Sequence, residues 1–220
     1  MRTCPRTLTA SLAAFVLLGC VEDAPTDLTE PELEPQLHVA SARHPVHWLS
    51  DLSDVPGATA KLNRTHSGVT FTFRTSGFEH GHVATLWWVI FNHPEACANP
   101  IPSIGAACGL PDLFNEDVAA SVMYAAGNIV GRSGKVAWGG SLRVGEITRY
   151  HPAFDGAPGL LGAMDAEIHM VARTHGPLIP RMAHGMLTTF EVGCTPETSG
   201  GFGNGPNACA DLQAAAFPAP

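Results

Sequence analysis

Lysine is almost missing from this chain: Lys61 and Lys135 are its two copies. Charged residues make up only 15%, and 12 basic side chains face 20 acidic ones. No basic run occurs. That argues against a nucleic-acid partner, because such binding rests on clustered Lys and Arg. Long apolar stripes of helical period are absent too, which counts against a helical bundle. No P-loop, G-x-G-x-x-G fingerprint, G-x-S-x-G elbow or H-E-x-x-H pair is present. Trp138-Gly139-Gly140-Ser141 sets glycines before a serine, but Arg143 stands where the second glycine of an elbow belongs. These gaps leave catalysis without a motif, and a hydrolase of unrecognised type stays an alternative.

What is there begins with an address. Arg2 and Arg6 precede the mostly apolar run Leu8 to Gly19, which ends in Leu17-Leu18-Gly19-Cys20. A basic start, a short apolar core and small residues at the cut describe a secretory signal peptide. A membrane-spanning helix needs about 20 apolar residues, and this core is shorter. The cysteine at the cut resembles a bacterial lipobox, so residues 1–19 are expected to be removed and Cys20 to carry lipid. Val21 follows where an aspartate would act as a retention signal; in a Gram-negative host this resembles outer-membrane sorting. The expected location is exported and lipid-anchored, at the outer membrane or cell surface. Losing Arg2 and Arg6 leaves 10 bases against 20 acids, a net charge of −10. Six of those acids (Glu22, Asp23, Asp27, Glu30, Glu32 and Glu34) fall in residues 20–36, which are proline-rich and lack aromatics. Such a stretch buries too little apolar surface to fold, and reads as an acidic tether.

Residues 37–220 then read as one domain. Four of its cysteines form two local pairs, Cys97 with Cys108 and Cys194 with Cys209. An even number in an exported chain reads as disulfides. Four cysteines allow three pairings, of which local pairing is favoured because each pair brackets loop-forming residues. A four-cysteine zinc site is the weaker alternative, since neither pair has the usual two-to-four-residue spacing.

Val83 to Phe91 (VATLWWVIF) is apolar at every parity, the mark of a central strand covered on both faces. Trp87 and Trp88 should point to opposite faces, both buried. Val69 to Phe73, Lys135 to Val144, Ile168 to Thr174 and Leu187 to Val192 also read as strands. Asp117 to Val130 permits a helix, but Gly127 and the Arg132-Ser133-Gly134 turn favour a long hairpin with the segment after it. The expected fold is all-β, an antiparallel β-sandwich or jelly roll stapled by disulfides, with a flattened barrel as alternative.

Histidine is the most suggestive residue type, with 11 copies. His80 and His82 would share a face if their stretch is strand. They superficially resemble the paired histidines of cupins, but no Glu follows where that pattern requires one. Glu167, His169, Val171, Arg173 and His175 form a second alternating set, and Met182, His184 and Met186 a third. Imidazole with thioether suits copper or zinc over magnesium or calcium. The candidate metal ligands are therefore His80, His82, His169, His175, Met182, His184 and Met186. Against this, methionine commonly fills core gaps and a histidine beside a turn is usually a hydrogen-bonding residue. No cofactor is demanded by the sequence.

Thr85 to Cys97 (TLWWVIFNHPEAC) and Ala166 to Pro180 (AEIHMVARTHGPLIP) resemble a group of uncharacterised secreted bacterial proteins, over most of residues 65–194. The resemblance implies strands of one domain and no particular activity. A looser likeness to CHRD-type β-sandwich domains is one of fold alone. The expected role is a non-enzymatic binding or structural module of the cell envelope, partnered by the membrane through its anchor and by an envelope protein or glycan. A transition-metal-binding protein is the alternative.

Overall fold

The structure, a computed structural model, describes residues 40–220. The expected leader, lipidated Cys20 and acidic tether lie outside the described residues. Nine strands pair, always antiparallel, into two sheets. The first sheet has the order β1-β3-β4-β7, from Ala40–His44, Thr59–Thr65, Gly68–Thr75 and Val136–Arg143. The second has the order β2-β9-β8-β5-β6, from His47–Trp48, Ala210–Phe217, Glu167–Pro177, His82–Phe91 and Ser121–Ile129. The expected all-β sandwich is what forms, and both disulfides close as local pairs, Cys97–Cys108 and Cys194–Cys209.

Alternation explains the first sheet. Along β4, Val69, Phe71 and Phe73 point into the core, while Thr70, Thr72 and Arg74 face out. β3 follows the same rule with Ala60, Leu62 and Arg64 inward. These side chains meet Leu86, Trp88 and Ile90 of β5 and Ile168 and Met170 of β8. The Phe71 and Trp88 rings meet edge to face at 4.9 Å, an arrangement favoured by their quadrupoles.

The second sheet departs from alternation because it is covered twice. Trp88 lies in the inter-sheet core, whereas Trp87, Val89 and Phe91 join a smaller cluster with Cys108, Val118 and Val122 on the outer face. That cover comes from three long connections, β5–β6, β7–β8 and β8–β9, which hold the 3₁₀ turns and the one described α-helix.

Two expectations fail. The segments after Asp117 and Lys135 are strands but not a hairpin: β6 pairs with β5 and β7 pairs with β4, so the turn between them crosses from sheet to sheet. Gly127 serves a different purpose, since a Cβ there would lie 2.1 Å from the Leu187 carbonyl. Leu187 to Val192 is not a strand. Ala183–Thr188 is a short helix, α1, whose end is closed by the Thr188 and Thr189 hydroxyls donating to the His184 and Gly185 carbonyls. β8 already has β5 and β9 as neighbours, so the segment that follows it cannot pair beside it.

A buried polar row beneath an aromatic roof

The central strand β8 carries Glu167, His169, Arg173 and His175 at alternate positions on its outer face, and all four are buried. A buried charge must be compensated, and the charged members have partners, although the Arg173 Nε–H itself has none. The Glu167 carboxylate accepts from the backbone N–H groups of Ala107 and Cys108 at 2.9 and 3.0 Å and pairs with His169 Nε2 at 2.7 Å. Burial pushes its pKa up, but His169 and the two N–H donors outweigh that, and the net shift is downward. Glu167 thereby anchors the loop closed by Cys97–Cys108. Asp112 pins the same loop, accepting from the backbone of Ala98, Asn99 and Gly109.

At the other end, Arg173 donates to Asp211 at 2.8 Å and to the Thr198 carbonyl at 2.6 Å. Its guanidinium lies 3.7 Å from the Phe190 ring centroid, a cation–π geometry. His175 Nδ1 lies 3.1 Å from the Val192 carbonyl, and its Nε2 lies 3.0 Å from the Thr85 hydroxyl. A carbonyl only accepts, so Nδ1 carries the hydrogen and Nε2 accepts from Thr85. Burial first, and the charge of Arg173 second, hold this imidazole near a pKa of about 4, against the opposing bond to Val192. The row is a set of internal fastenings for the loops above it.

Those loops meet as a chain of rings. Phe114 and Phe154 lie 5.6 Å apart, Phe154 is 5.6 Å from His151, and His151 is 3.9 Å from Phe190 and 6.2 Å from Phe202. Phe190 in turn packs on the buried Trp87 at 5.4 Å. Each of the three connections contributes a member. The outer end is open: Leu110 is 72% exposed, Phe114 71% and Phe202 44%. His151 Nδ1 accepts from the Ala153 N–H, and burial with the nearby Arg173 charge lowers its pKa to about 4. The rings of the roof therefore carry no charge at neutral pH, and one of them, Phe202, lies inside the loop closed by Cys194–Cys209.

No trio of the five candidate histidines has ligand atoms within 4.8 Å of one another among the described residues. His80 sits exposed in a turn and Gly81 after it has φ +79°, so the two histidines flanking it are not on one regular strand. His82 pairs instead with Glu79 at 3.1 Å. His169 and His175 share a face as expected, but six residues at about 3.4 Å each separate them by about 20 Å. Met182 ends a 3₁₀ turn, His184 is exposed on α1, and Met186 is buried with its sulfur near the Ile179 N–H. Among the His, Cys, Asp and Glu of the described residues, two trios have ligand atoms within 4.8 Å: His175 with Cys194 and Cys209, and Cys97 and Cys108 with Asp112. Each contains a disulfide, whose sulfurs are not thiolate ligands.

Sequence reading missed His151, Phe154, Phe190 and Arg64. His151 and Phe154 share the β7–β8 connection while Phe190 lies on the β8–β9 one, so no common spacing links the three. Arg64 had a signal, a charge at an inward position after Ala60 and Leu62, legible once β3 is seen as a strand. No protein-family model, no curated protein and no solved structure matches this chain.

Proposed function

We propose that this chain is a lipid-anchored, non-enzymatic binding module of the cell envelope, with the aromatic roof as its contact surface. The observation that carries this reading is the exposure of Leu110, Phe114 and Phe202 on the loops that cover the second sheet, with Phe202 inside the loop closed by Cys194–Cys209. Exposed apolar groups gathered on fixed loops suit recognition, and aromatic faces suit stacking on sugars or apolar side chains. The buried ionisable groups hold the loops and have no open face towards a substrate. Leu17-Leu18-Gly19-Cys20 supports export and anchoring.

Sedimentation of the full chain with purified envelope fragments tests the reading. Retention should fall at least tenfold in a Phe114→Ser/Phe202→Ser double variant and stay intact in Phe78→Tyr, which alters the core. Equal retention of the unaltered chain and both variants would remove the roof from consideration, and turnover of an envelope polymer would replace binding by hydrolysis. Metal binding is the second reading, favoured by the His175, Cys194 and Cys209 trio. It requires that disulfide to be open.

A further inference from the structure

The outer face of the first sheet carries a separate feature. Arg43, Lys61, Arg74 and Arg143 all occupy outward positions on β1, β3, β4 and β7, with Lys135 immediately before β7. Register places Arg43 opposite Lys61 and Gly68 opposite Arg143. No acid occurs in any of these four strands, although acids outnumber bases in the chain. Like charges directly opposite on a sheet are destabilising, so this clustering opposes folding. None of the five cations forms an ion pair among the described residues. Glu146, the nearby acid, bonds the backbone N–H of Arg143.

Between the cations the face is hydroxyl- and amide-bearing: Ser41, Asn63, Thr70 and Ser141 form one cross-strand row. Gly139 and Ala137 keep the β7 edge low. Two shallow depressions lie at opposite ends of β4. One, of about 380 Å³, is lined by Arg74, Lys135, Thr75 and Ser76. The other, of about 190 Å³, is lined by Asn63, Thr70, Ser141 and Arg143. From Arg74 to Gly68 the strand runs about 20 Å, at about 3.4 Å per residue.

We propose that this face binds a linear acidic polysaccharide, its carboxylates reaching the cations and its hydroxyls the Ser, Thr and Asn row. Arginine recognises carboxylate bidentately, and a span of about 20 Å calls for a chain of several sugars rather than a single ion. A nucleic acid fits poorly, because no aromatic side chain stands outward on this face to stack on bases. The site lies on the opposite sheet from the aromatic roof and does not rest on the function proposed for it.

The test is calorimetric titration of the full chain with hexagalacturonate, digalacturonate, neutral maltohexaose and phosphatidylglycerol vesicles. Hexagalacturonate should bind, weakening as salt rises, with digalacturonate and maltohexaose silent. Arg74→Gln/Lys135→Gln and Arg143→Gln should each lower affinity about tenfold, the equivalent of about 1.4 kcal/mol. Arg149→Gln/Arg181→Gln, on the other sheet's side, should leave it unchanged. Thermal unfolding of every variant checks that it is folded. The proposal is overturned if hexagalacturonate does not bind, if the control double variant weakens it equally, or if the vesicles bind through these residues and the oligosaccharide does not.

Discussion

His175 Nε2 and the Thr85 hydroxyl stand 3.0 Å apart, and Trp87 Nε1 donates to the same hydroxyl oxygen at 2.8 Å. The hydrogens therefore run one way, from Trp87 to Thr85 to His175 to the Val192 carbonyl. A second proton on His175 would meet the Thr85 hydrogen head on. The folded state keeps a neutral imidazole, with a pKa of about 4 against 6.5 for the free side chain.

Stability should accordingly depend on pH. Between pH 6.5 and 4 the unfolded chain takes up a proton that the folded chain refuses, so unfolding gains free energy as pH falls. Stability is unaffected by this group above pH 6.5, and the loss amounts to on the order of 3 kcal/mol once pH reaches 4. Glu167, whose folded pKa is lowered, adds a further loss below its ordinary value of 4.5. Urea midpoints at pH 7.0 and 4.5 measure this. His151, also lowered to about 4, adds a similar slope, so His175→Gln, which can still donate to Val192 and accept from Thr85, should remove about half of it; an unchanged slope would exclude His175 as a source.

Arg64 fastens the two sheets together. Its guanidinium donates to the carbonyls of Ala163, Ala166, Phe217 and Pro218 at 2.7 to 3.0 Å, joining β3 to the start of β8 and the end of β9. Burial lowers its pKa to about 10, against the pull of Glu167, so it stays charged. Arg64→Ala should cost about 3 kcal/mol or more, since buried carbonyls lose their donors. Arg64→Lys should recover little of this, because an ammonium cannot spread over four carbonyls as the planar fork does. Denaturation midpoints of the pair decide the matter.

Strands were legible where side chains carried the pattern. VTFTF alternates and VATLWWVIF does not, and each landed in the environment its pattern implies, one face exposed or both covered. β9 was illegible because DLQAAAF is rich in alanine, a poor strand former in isolation; it is held by β2 and β8 on its two sides. Leu187 to Val192 misled as a strand, because the Thr188 and Thr189 hydroxyls close α1. Local pairing of the cysteines was readable from loop composition. Convergence of the histidines was not, since sharing a face says nothing of distance along the strand.

Copper or zinc should bind the oxidised protein weakly at most. Elemental analysis after metal loading and desalting should find far less than one equivalent, and His80→Ala/His184→Ala should change nothing. Loading after reduction is the discriminating arm. If Cys194 and Cys209 then retain metal with His175, His175→Gln should abolish it while His169→Gln should not. Stoichiometric metal in the oxidised protein would overturn this reading.

The two disulfides should contribute unequally to the roof. Cys194–Cys209 spans 15 residues and encloses Phe202, while Cys97–Cys108 spans 11 and lies against Glu167 and Asp112. In the chain-entropy account a closed loop of about 15 residues is worth about 3 kcal/mol, and shorter loops slightly less. Stability alone would thus barely separate them. The difference lies in what else holds each loop. The 97–108 loop keeps its bonds to two buried carboxylates after its disulfide is removed. The 194–209 loop keeps Arg173 on the Thr198 carbonyl and Asn207 on the carbonyls of His175 and Pro177, but Gly200 to Phe202 are held by the turn's own bonds and the edge contact of Phe202 with His151. Cys194→Ser/Cys209→Ser should therefore speed amide exchange around Phe202 more than Cys97→Ser/Cys108→Ser does around Ile101, and weaken envelope retention with it. Equal exchange in the two variants would show that the roof is held by the side-chain fastenings alone.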